Sequence, residues 1–302
     1  MILTMRLSCL YVLVLAGCGR LGFDTVSGAG DAGDAPEALD APFDPSVPFG
    51  TPTIISELSS SSADDDPTLT ADMLEIVFDS GRPGSSPGGD LYTSRRATLQ
   101  SPWSAPTIVV ELSSAFDEDT PVISRDGLTI TFASDRTGSV GTDLWHASRP
   151  DRDSPWSTPV RISELASSSN DEHLSTDAAQ VIGMFASNRG GTYALYSVTR
   201  ASAAVAWSGT TLRTELDSTA DEQDPALDPT GTVVVFATTR SGNQDLWIAT
   251  RPSGLAPFGA PKRIDEVSTA SDESDPWISA DLRTLVFTRG TSDARDIYIS
   301  TR

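Results

Sequence analysis

The sequence predicts an all-β fold built from five copies of one unit, and three observations support this prediction. A phenylalanine recurs at a step of about 50 residues, a period typical of propeller blades, at Phe78, Phe132, Phe185, Phe236 and Phe287. A second aromatic column keeps the same step, at Tyr92, Trp145, Tyr196, Trp247 and Tyr298. Short runs such as residues 128–132 alternate apolar and polar side chains, as half-buried strands do. Together they predict a five-bladed β-propeller of four-stranded antiparallel blades.

Each copy divides into four strands, and the second copy illustrates the assignment. We predict strand A at residues 121–124, strand B at 128–134, strand C at 143–148 and strand D at 160–164. The turn Arg125-Asp126-Gly127 between the first two strands has the residue types that hairpins favour. The same division applies to the other copies.

The two ends of the repeat region predict how the ring closes. Residues 51–58 resemble the predicted D-strand sequences at 105–112, 158–165 and 260–267. The last repeat, in contrast, stops at residues 298–302, inside a predicted strand C. The last blade therefore lacks its own strand D, and we expect the first segment to supply it, which would remove an exposed sheet edge. A six-bladed ring would leave a gap, so five blades are preferred.

The amino terminus is predicted to be a targeting segment. It has one positive charge at Arg6 and a short apolar run at residues 10–15, which suits a secretory signal better than a membrane span. The tetrapeptide Leu15-Ala16-Gly17-Cys18 resembles the lipobox of bacterial lipoproteins. The resemblance implies a signal peptide over residues 1–17 and acylation of Cys18; the alternative is a plain signal with a chance cysteine. Because Gly19 is not aspartate, the resemblance also implies the outer membrane.

Residues 18–50 are predicted to form a tether between the lipid and the propeller. This stretch is rich in Gly, Ala, Asp and Pro, and such a composition buries too little apolar surface to offset the entropy of ordering. The propeller domain is then expected over residues 51–302.

Composition excludes some partners. Acidic residues outnumber basic ones 42 to 21, for a net charge of −21, so a nucleic-acid backbone would be repelled. The chain has only two cysteines and two histidines, too few for a Cys/His zinc site. We expect a monomer that contacts the membrane only through its lipid anchor.

The repeat resembles a known family. The second copy contains the motifs Ser-Arg-Asp-Gly at 124–127, Phe-Ala-Ser-Asp-Arg at 132–136, Asp-Leu-Trp at 143–145 and Ser-Pro-Trp-Ser-x-Pro at 154–159. These motifs are similar to the WD-40-like propeller repeat (PD40 family) of TolB-like envelope proteins, and the match covers residues 51–302. The resemblance implies a binding scaffold. TolB itself has six blades and a preceding α/β domain, so no Tol-system role is implied.

Acidic stretches precede every predicted strand A, and we expect them to form loops on one face of the ring. They cover residues 62–66, 115–119, 169–173, 220–224 and 271–275. One interpretation is structural: an arginine after each strand B pairs with the acid that opens strand C, as Arg136 with Asp143 or Arg240 with Asp245. The other is binding of a cationic ligand or of calcium, which prefers oxygen ligands. No resident cofactor is otherwise expected.

Two places depart from the repeat and supply the candidate binding residues. The third copy carries Asp171, Glu172 and His173. The position after the last apolar residue of strand A is assigned to Thr70, Ser124, Ser175, Asp228 and Ser279. Asp228 is the one acid among these five residues. A glycosidase needs a pair of catalytic carboxylates, so no catalytic residue is assigned.

The sequence thus predicts a cell-envelope lipoprotein that acts as a non-catalytic binding scaffold for protein or glycan ligands. The alternative is a hydrolase of the glycosidase class that uses the central pocket of the propeller. Enzymatic activity is left open, with the non-catalytic interpretation favoured.

Overall fold

The computed structural model describes residues 47–86, 88–291 and 294–302. These residues form five four-stranded antiparallel sheets arranged as a five-bladed propeller, which confirms the predicted fold. No described segment is a helix that could cross a membrane. The predicted signal peptide, Cys18 and most of the predicted tether lie outside the described residues.

The strands follow one another from the channel outward in four of the blades. Blade 1 contains β2 (Asp64–Leu69), β3 (Glu75–Ser80), β4 (Asp90–Arg95) and β5 (Thr107–Ile108). Blade 2 contains β6 (Glu118–Ile123), β7 (Thr129–Ser134), β8 (Asp143–Ser148) and β9 (Val160–Arg161). Blade 3 contains β10 (Asp171–Thr176), β11 (Ile182–Ser187), β12 (Ala194–Thr199) and β13 (Ser208–Leu212). Blade 4 contains β14 (Glu222–Leu227), β15 (Val233–Thr238), β16 (Asp245–Thr250) and β17 (Lys262–Arg263).

The fifth blade joins the two ends of the chain, as the sequence predicts. It contains β18 (Asp272–Ile278), β19 (Thr284–Thr291) and β20 (Ala294–Thr301), and its outer strand is β1 (Thr53–Ile54). β1 pairs antiparallel with β20, with Thr53 opposite Ile299. The pairing begins before β1, since the Gly50 N–H donates to the Thr301 carbonyl at 2.8 Å. The propeller is therefore a closed ring.

The apolar core lies between neighbouring blades. The five repeated phenylalanines are fully buried, and each belongs to a cluster that draws on two sheets. Phe132 packs with Val77 and Leu91 of the preceding blade, for example. Because every blade buries one face against the next, no blade can keep its core without its neighbours.

A second repeated contact lies at the ends of the third strands, where an arginine stacks on an aromatic ring. The distances from guanidinium carbon to ring centroid are 4.0–4.3 Å, for Arg96 on Trp103, Arg149 on Trp156, Arg200 on Trp207, Arg251 on Phe258 and Arg302 on Phe49. In the fifth pair the two partners come from opposite ends of the described chain. The segment before β1 therefore completes the last blade.

We predict that Phe49→Ala destabilises the ring by about 3 kcal/mol, because it removes a large buried side chain that joins the two ends of the chain. Urea unfolding of the propeller domain without the predicted signal peptide measures this loss. Val47→Ala is the matched control, since Val47 is 44% exposed in the same segment and should change stability by about 0.5 kcal/mol or less. Equal effects of the two substitutions would contradict the closure.

Candidate functional site

A buried ion pair, called here the arginine latch, opens the innermost strand of every blade. An arginine near the end of the second strand contacts a carboxylate at the start of the innermost strand at 2.5–2.9 Å. This acid is the first residue of the innermost strand in blades 1–4 and the second residue of β18 in blade 5. The pairs are Arg82–Asp64, Arg136–Glu118, Arg189–Asp171, Arg240–Glu222 and Arg289–Glu273. All five carboxylates are completely buried. A buried charge of this kind must be paired, so the latch is part of the frame of each blade.

The latch corrects two sequence predictions. The acidic stretches are not wholly loops, because the innermost strand of blade 2 begins at Glu118 rather than at residue 121. Arg136 does not pair with Asp143, which instead contacts Arg161 at 2.8 Å, and Asp245 likewise contacts Arg263 rather than Arg240. All of these carboxylates are completely buried, so each needs a cation, and two different arginines supply it.

Asp171, one of the candidate binding residues, is the latch carboxylate of blade 3. It accepts hydrogen bonds from Arg189 at 2.5 Å and from the Ser167 N–H at 2.7 Å. Its binding role stays a prediction, but the structure gives it the same partners as the latch acids of the other blades.

The residue two positions after the latch acid has a left-handed backbone in every blade. Its φ lies between 43° and 53°, at Asp66, Thr120, His173, Asp224 and Asp275, and the pairing with the second strand shifts register at this point in every blade. Such a bulge re-aims a side chain out of the sheet. It brings side chains from different blades together in the channel enclosed by the five innermost strands.

Four of these residues form what we call the axial cluster: Asp66, His173, Asp224 and Asp275. One ligand atom from each lies within 4.8 Å of all the others. The His173 Nδ1 atom is 3.5 Å from Asp66 Oδ1 and 3.7 Å from Asp224 Oδ1. The four residues are only 4–8% exposed. The repeat pattern points to His173 but not to its three partners, which lie in acidic stretches that the sequence predicts to be loops.

Three further acids lie one residue before the bulge residue of their strands and are partly exposed: Asp65, Asp119 and Glu172. We call them the rim carboxylates. Burial and the neighbouring Asp275 carboxylate raise the pKa of Asp65 to about 8, against the opposing charge of Arg295, which donates to it at 2.9 Å. Burial and the charge of Asp66 raise the pKa of Glu172 to about 7, although a 2.8 Å hydrogen bond from the Tyr193 hydroxyl opposes the rise.

Carboxylate crowding extends around the whole mouth of the channel. Burial, and then the charge of Glu172, raises the pKa of Asp119 well above its usual range. Burial and the charge of Asp275 likewise raise the pKa of Asp224 well above its usual range. Burial and the charge of Asp66 also raise the pKa of Asp79. Asp79 lies near the end of β3, where the other blades carry Ala or Thr. The mouth therefore holds more carboxyl groups than its own basic residues can neutralise.

Asp228 immediately follows the last residue of β14, at the opposite end of that strand from the latch acid Glu222. Its carboxylate accepts the N–H groups of Thr232 and Val233 at 2.6 and 2.7 Å and also bonds Thr230. The structure thus places it inside its own turn. The equivalent residue of blade 3 is Asp177, which accepts the Ile182 N–H at 2.9 Å, and not Ser175 as the sequence alignment assigned.

A cavity of about 430 Å³ includes the part of the channel beyond the axial cluster. Residues from all five innermost strands line it, with His173 among them. Arg125 also lines it and reaches across from blade 2 to donate to the Leu227 carbonyl of blade 4 at 3.3 Å. Burial lowers the pKa of this guanidinium. A buried guanidinium thus lies in the channel beyond the axial cluster.

No protein-family model and no curated protein matches the chain. Among solved structures, it is similar to the catalytic domain of a family 62 α-L-arabinofuranosidase from Coprinopsis cinerea, at 11% identity and a TM-score of 0.57, over 84% of this chain and 96% of that one. A family 117 glycoside hydrolase from Zobellia galactanivorans gives 9% identity and a TM-score of 0.53, over 80% and 84%.

TolB from Acinetobacter baumannii gives 17% identity and a TM-score of 0.51. The alignment covers 82% of this chain but only 56% of that one. At these identities the similarities define the class of fold, a five-bladed β-propeller with TolB among its structural neighbours.

We predict that Arg136→Ala destabilises the protein by about 3–5 kcal/mol, because it leaves the Glu118 carboxylate buried without its cation. Arg152→Ala is the matched control: its ion pair with Asp72 is partly exposed on both sides and should contribute about 0–1 kcal/mol. Urea unfolding of both variants measures the difference. Similar losses would mean that the latch does not anchor the strand.

A second stability prediction concerns Asp228. We expect Asp228→Ala to cost about 1–3 kcal/mol, because it leaves turn N–H groups without their acceptor, whereas Asp228→Asn keeps an acceptor oxygen and should cost less. Thermal unfolding measures both. If Asp228→Ala unfolds like the wild type, the turn does not depend on this carboxylate.

Proposed function

We propose that this chain is a cell-envelope lipoprotein whose propeller is a non-catalytic binding scaffold for a protein or glycan ligand, with the mouth of the channel as the ligand site. The observation that carries the proposal is the carboxylate excess there. Seven carboxyl groups interact at the mouth, those of Asp65, Asp66, Asp79, Asp119, Glu172, Asp224 and Asp275. Within the described residues, Arg295 and His173 are the basic side chains within 4 Å of them.

This charge favours a ligand with basic groups. A concave mouth lined by one sign of charge concentrates groups of the opposite sign and speeds their association. The rim carboxylates are partly exposed, so Lys or Arg side chains of a protein could form charge-assisted hydrogen bonds with them. A protein segment carrying such residues therefore suits the mouth better than a neutral glycan, which would have to bond the same oxygens through hydroxyl groups.

The tight packing of the axial cluster supports binding rather than hydrolysis. Its four ligand atoms lie within 4.8 Å of one another, whereas the carboxyl pairs of glycosidases are about 5–5.5 Å or about 6.5–9.5 Å apart. The cluster leaves little room for a sugar between acid and base.

The location rests on the amino terminus. We propose that Cys18 carries the lipid and that the acidic tether spaces a monomeric propeller from the outer membrane, because the lipobox-like tetrapeptide ends at this cysteine. Metabolic labelling with a palmitate analogue tests the anchor, and Cys18→Ser should abolish the label. Nucleic acid is not proposed as a partner because the net charge is −21.

We predict that capture of envelope proteins by the immobilised propeller domain depends on the rim carboxylates. The double variant Asp119→Asn/Glu172→Gln should retain its principal partner at least about tenfold less than wild type, since it removes two carboxylates from the mouth. Asp217→Asn is the control, because Asp217 is an exposed acid in the loop before β14 and should behave like wild type. Retention that is equal in all three proteins would contradict the proposed site.

A glycoside hydrolase is the second candidate, and one observation favours it. Asp65, Asp119 and Glu172 come from three different innermost strands and are partly exposed in the same mouth, as an acid and base acting on a bound sugar would be. A panel of chromogenic glycosides separates the candidates. Turnover that disappears in Glu172→Gln would support the hydrolase and overturn the non-catalytic proposal.

A further inference from the structure

We infer that the axial cluster, Asp66, His173, Asp224 and Asp275, binds one divalent metal ion on the channel axis. The inference concerns a metal site beneath the rim and does not depend on the proposed ligand function.

The first argument is geometric. The four residues occupy the same position in four different blades and share the left-handed φ of the bulge, so their convergence is built into the innermost strands. Their ligand atoms lie within 4.8 Å of one another. Around a metal with bonds of about 2.1 Å, tetrahedral ligand atoms are about 3.4 Å apart. The separations of 3.5 and 3.7 Å from His173 Nδ1 to the Asp66 and Asp224 oxygens are close to that value.

The second argument comes from polar atoms without partners. His173 Nδ1 has no hydrogen-bond partner, although the residue is only 5% exposed. Asp66 Oδ1, the oxygen nearest to it, is also buried and without a hydrogen bond. Buried polar atoms are nearly always satisfied, and leaving one unpaired destabilises a fold. A cation between these atoms would satisfy both at once.

The third argument is charge. Three carboxylates of the cluster are almost completely buried, and Asp65 and Asp79 interact with them. Arg295 contacts Asp65 at 2.9 Å and lies 3.8 Å from Asp275, so it balances only part of this charge. Buried charges are tolerated when they are paired or coordinate a metal. A doubly charged ion supplies the missing positive charge within the cluster itself.

The donor set indicates which ions fit. Calcium, expected from the acidic sequence alone, takes oxygen ligands, whereas imidazole suits zinc and other transition metals and carboxylate suits manganese. One imidazole nitrogen with three carboxylates is therefore a mixed set that favours Zn²⁺ or Mn²⁺. The neutral imidazole would bind through Nδ1 and keep its proton on Nε2.

Metal content and thermal unfolding of the soluble protein test the site. After treatment with EDTA, wild type should take up about one equivalent of Zn²⁺ or Mn²⁺, measured by elemental analysis after gel filtration. Saturation at about 100 times Kd should raise the Tm by about 5–10 °C. Asp217→Asn, outside the cluster, should behave identically.

Two variants remove the ligands. Asp224→Asn/Asp275→Asn should bind no metal and should melt higher than metal-free wild type, because it relieves repulsion between buried carboxylates; adding metal should reverse that order. His173→Ala should weaken Zn²⁺ binding at least about tenfold and leave any Ca²⁺ binding unchanged. Absence of bound metal in wild type, or unchanged uptake by the double variant, overturns the site, and unchanged Zn²⁺ affinity in His173→Ala overturns the imidazole as a ligand.

Discussion

The buried pair between an arginine and an acid at the start of the innermost strand is the interaction on which the propeller depends. In each blade the guanidinium also donates to the carbonyl of an apolar residue in the preceding loop, as Arg136 does to Leu112 at 2.6 Å, and it stacks over the two ring columns of its sheet, as on Phe132 and Trp145. One cation thus ties together the incoming loop, the inner strand and the aromatic core. In every blade the bulge residue lies two positions after this carboxylate, and its side chain meets its counterparts in the channel.

Positions that recur in all five blades belong to the structural frame, whereas positions that vary between blades form the candidate site. The latch acid occurs in all five blades, so its repetition indicates a structural role. The next two positions vary: the second is acidic in three blades, and the third holds three aspartates, one histidine and one threonine. Thr120, the exception, accepts the His173 N–H at 3.2 Å and so positions the histidine strand. Fold symmetry brings five side chains to one place, and the differences among them give that place its chemistry.

The aromatic period, and a D-strand sequence at the start of the repeat region that is missing at its end, were sufficient to predict five blades and their closure, because hydrophobic burial enforces both patterns. The start of the inner strands was not predictable in the same way. Runs such as residues 64–66 have low strand propensity, and their pairing depends on the latch and on a bulge, which become evident only in three dimensions. For this reason the sequence grouped Asp171 with His173, whereas the latch separates them, and it missed Asp66, Asp224 and Asp275. It also shifted blade 3 by two residues, hiding Asp177 as the counterpart of Asp228.

The propeller is therefore a closed frame with the axial cluster, which we propose to bind a metal ion, on its axis beneath an acidic rim. The most direct measurement of that claim is anomalous diffraction from a crystal of the protein grown with Mn²⁺ or Zn²⁺. The structure predicts one strong anomalous peak on the channel axis, at about 2.0–2.2 Å from His173 Nδ1 and from oxygens of Asp66, Asp224 and Asp275. A mouth without such a peak, with the carboxyl groups bonded to one another or to water, would contradict it.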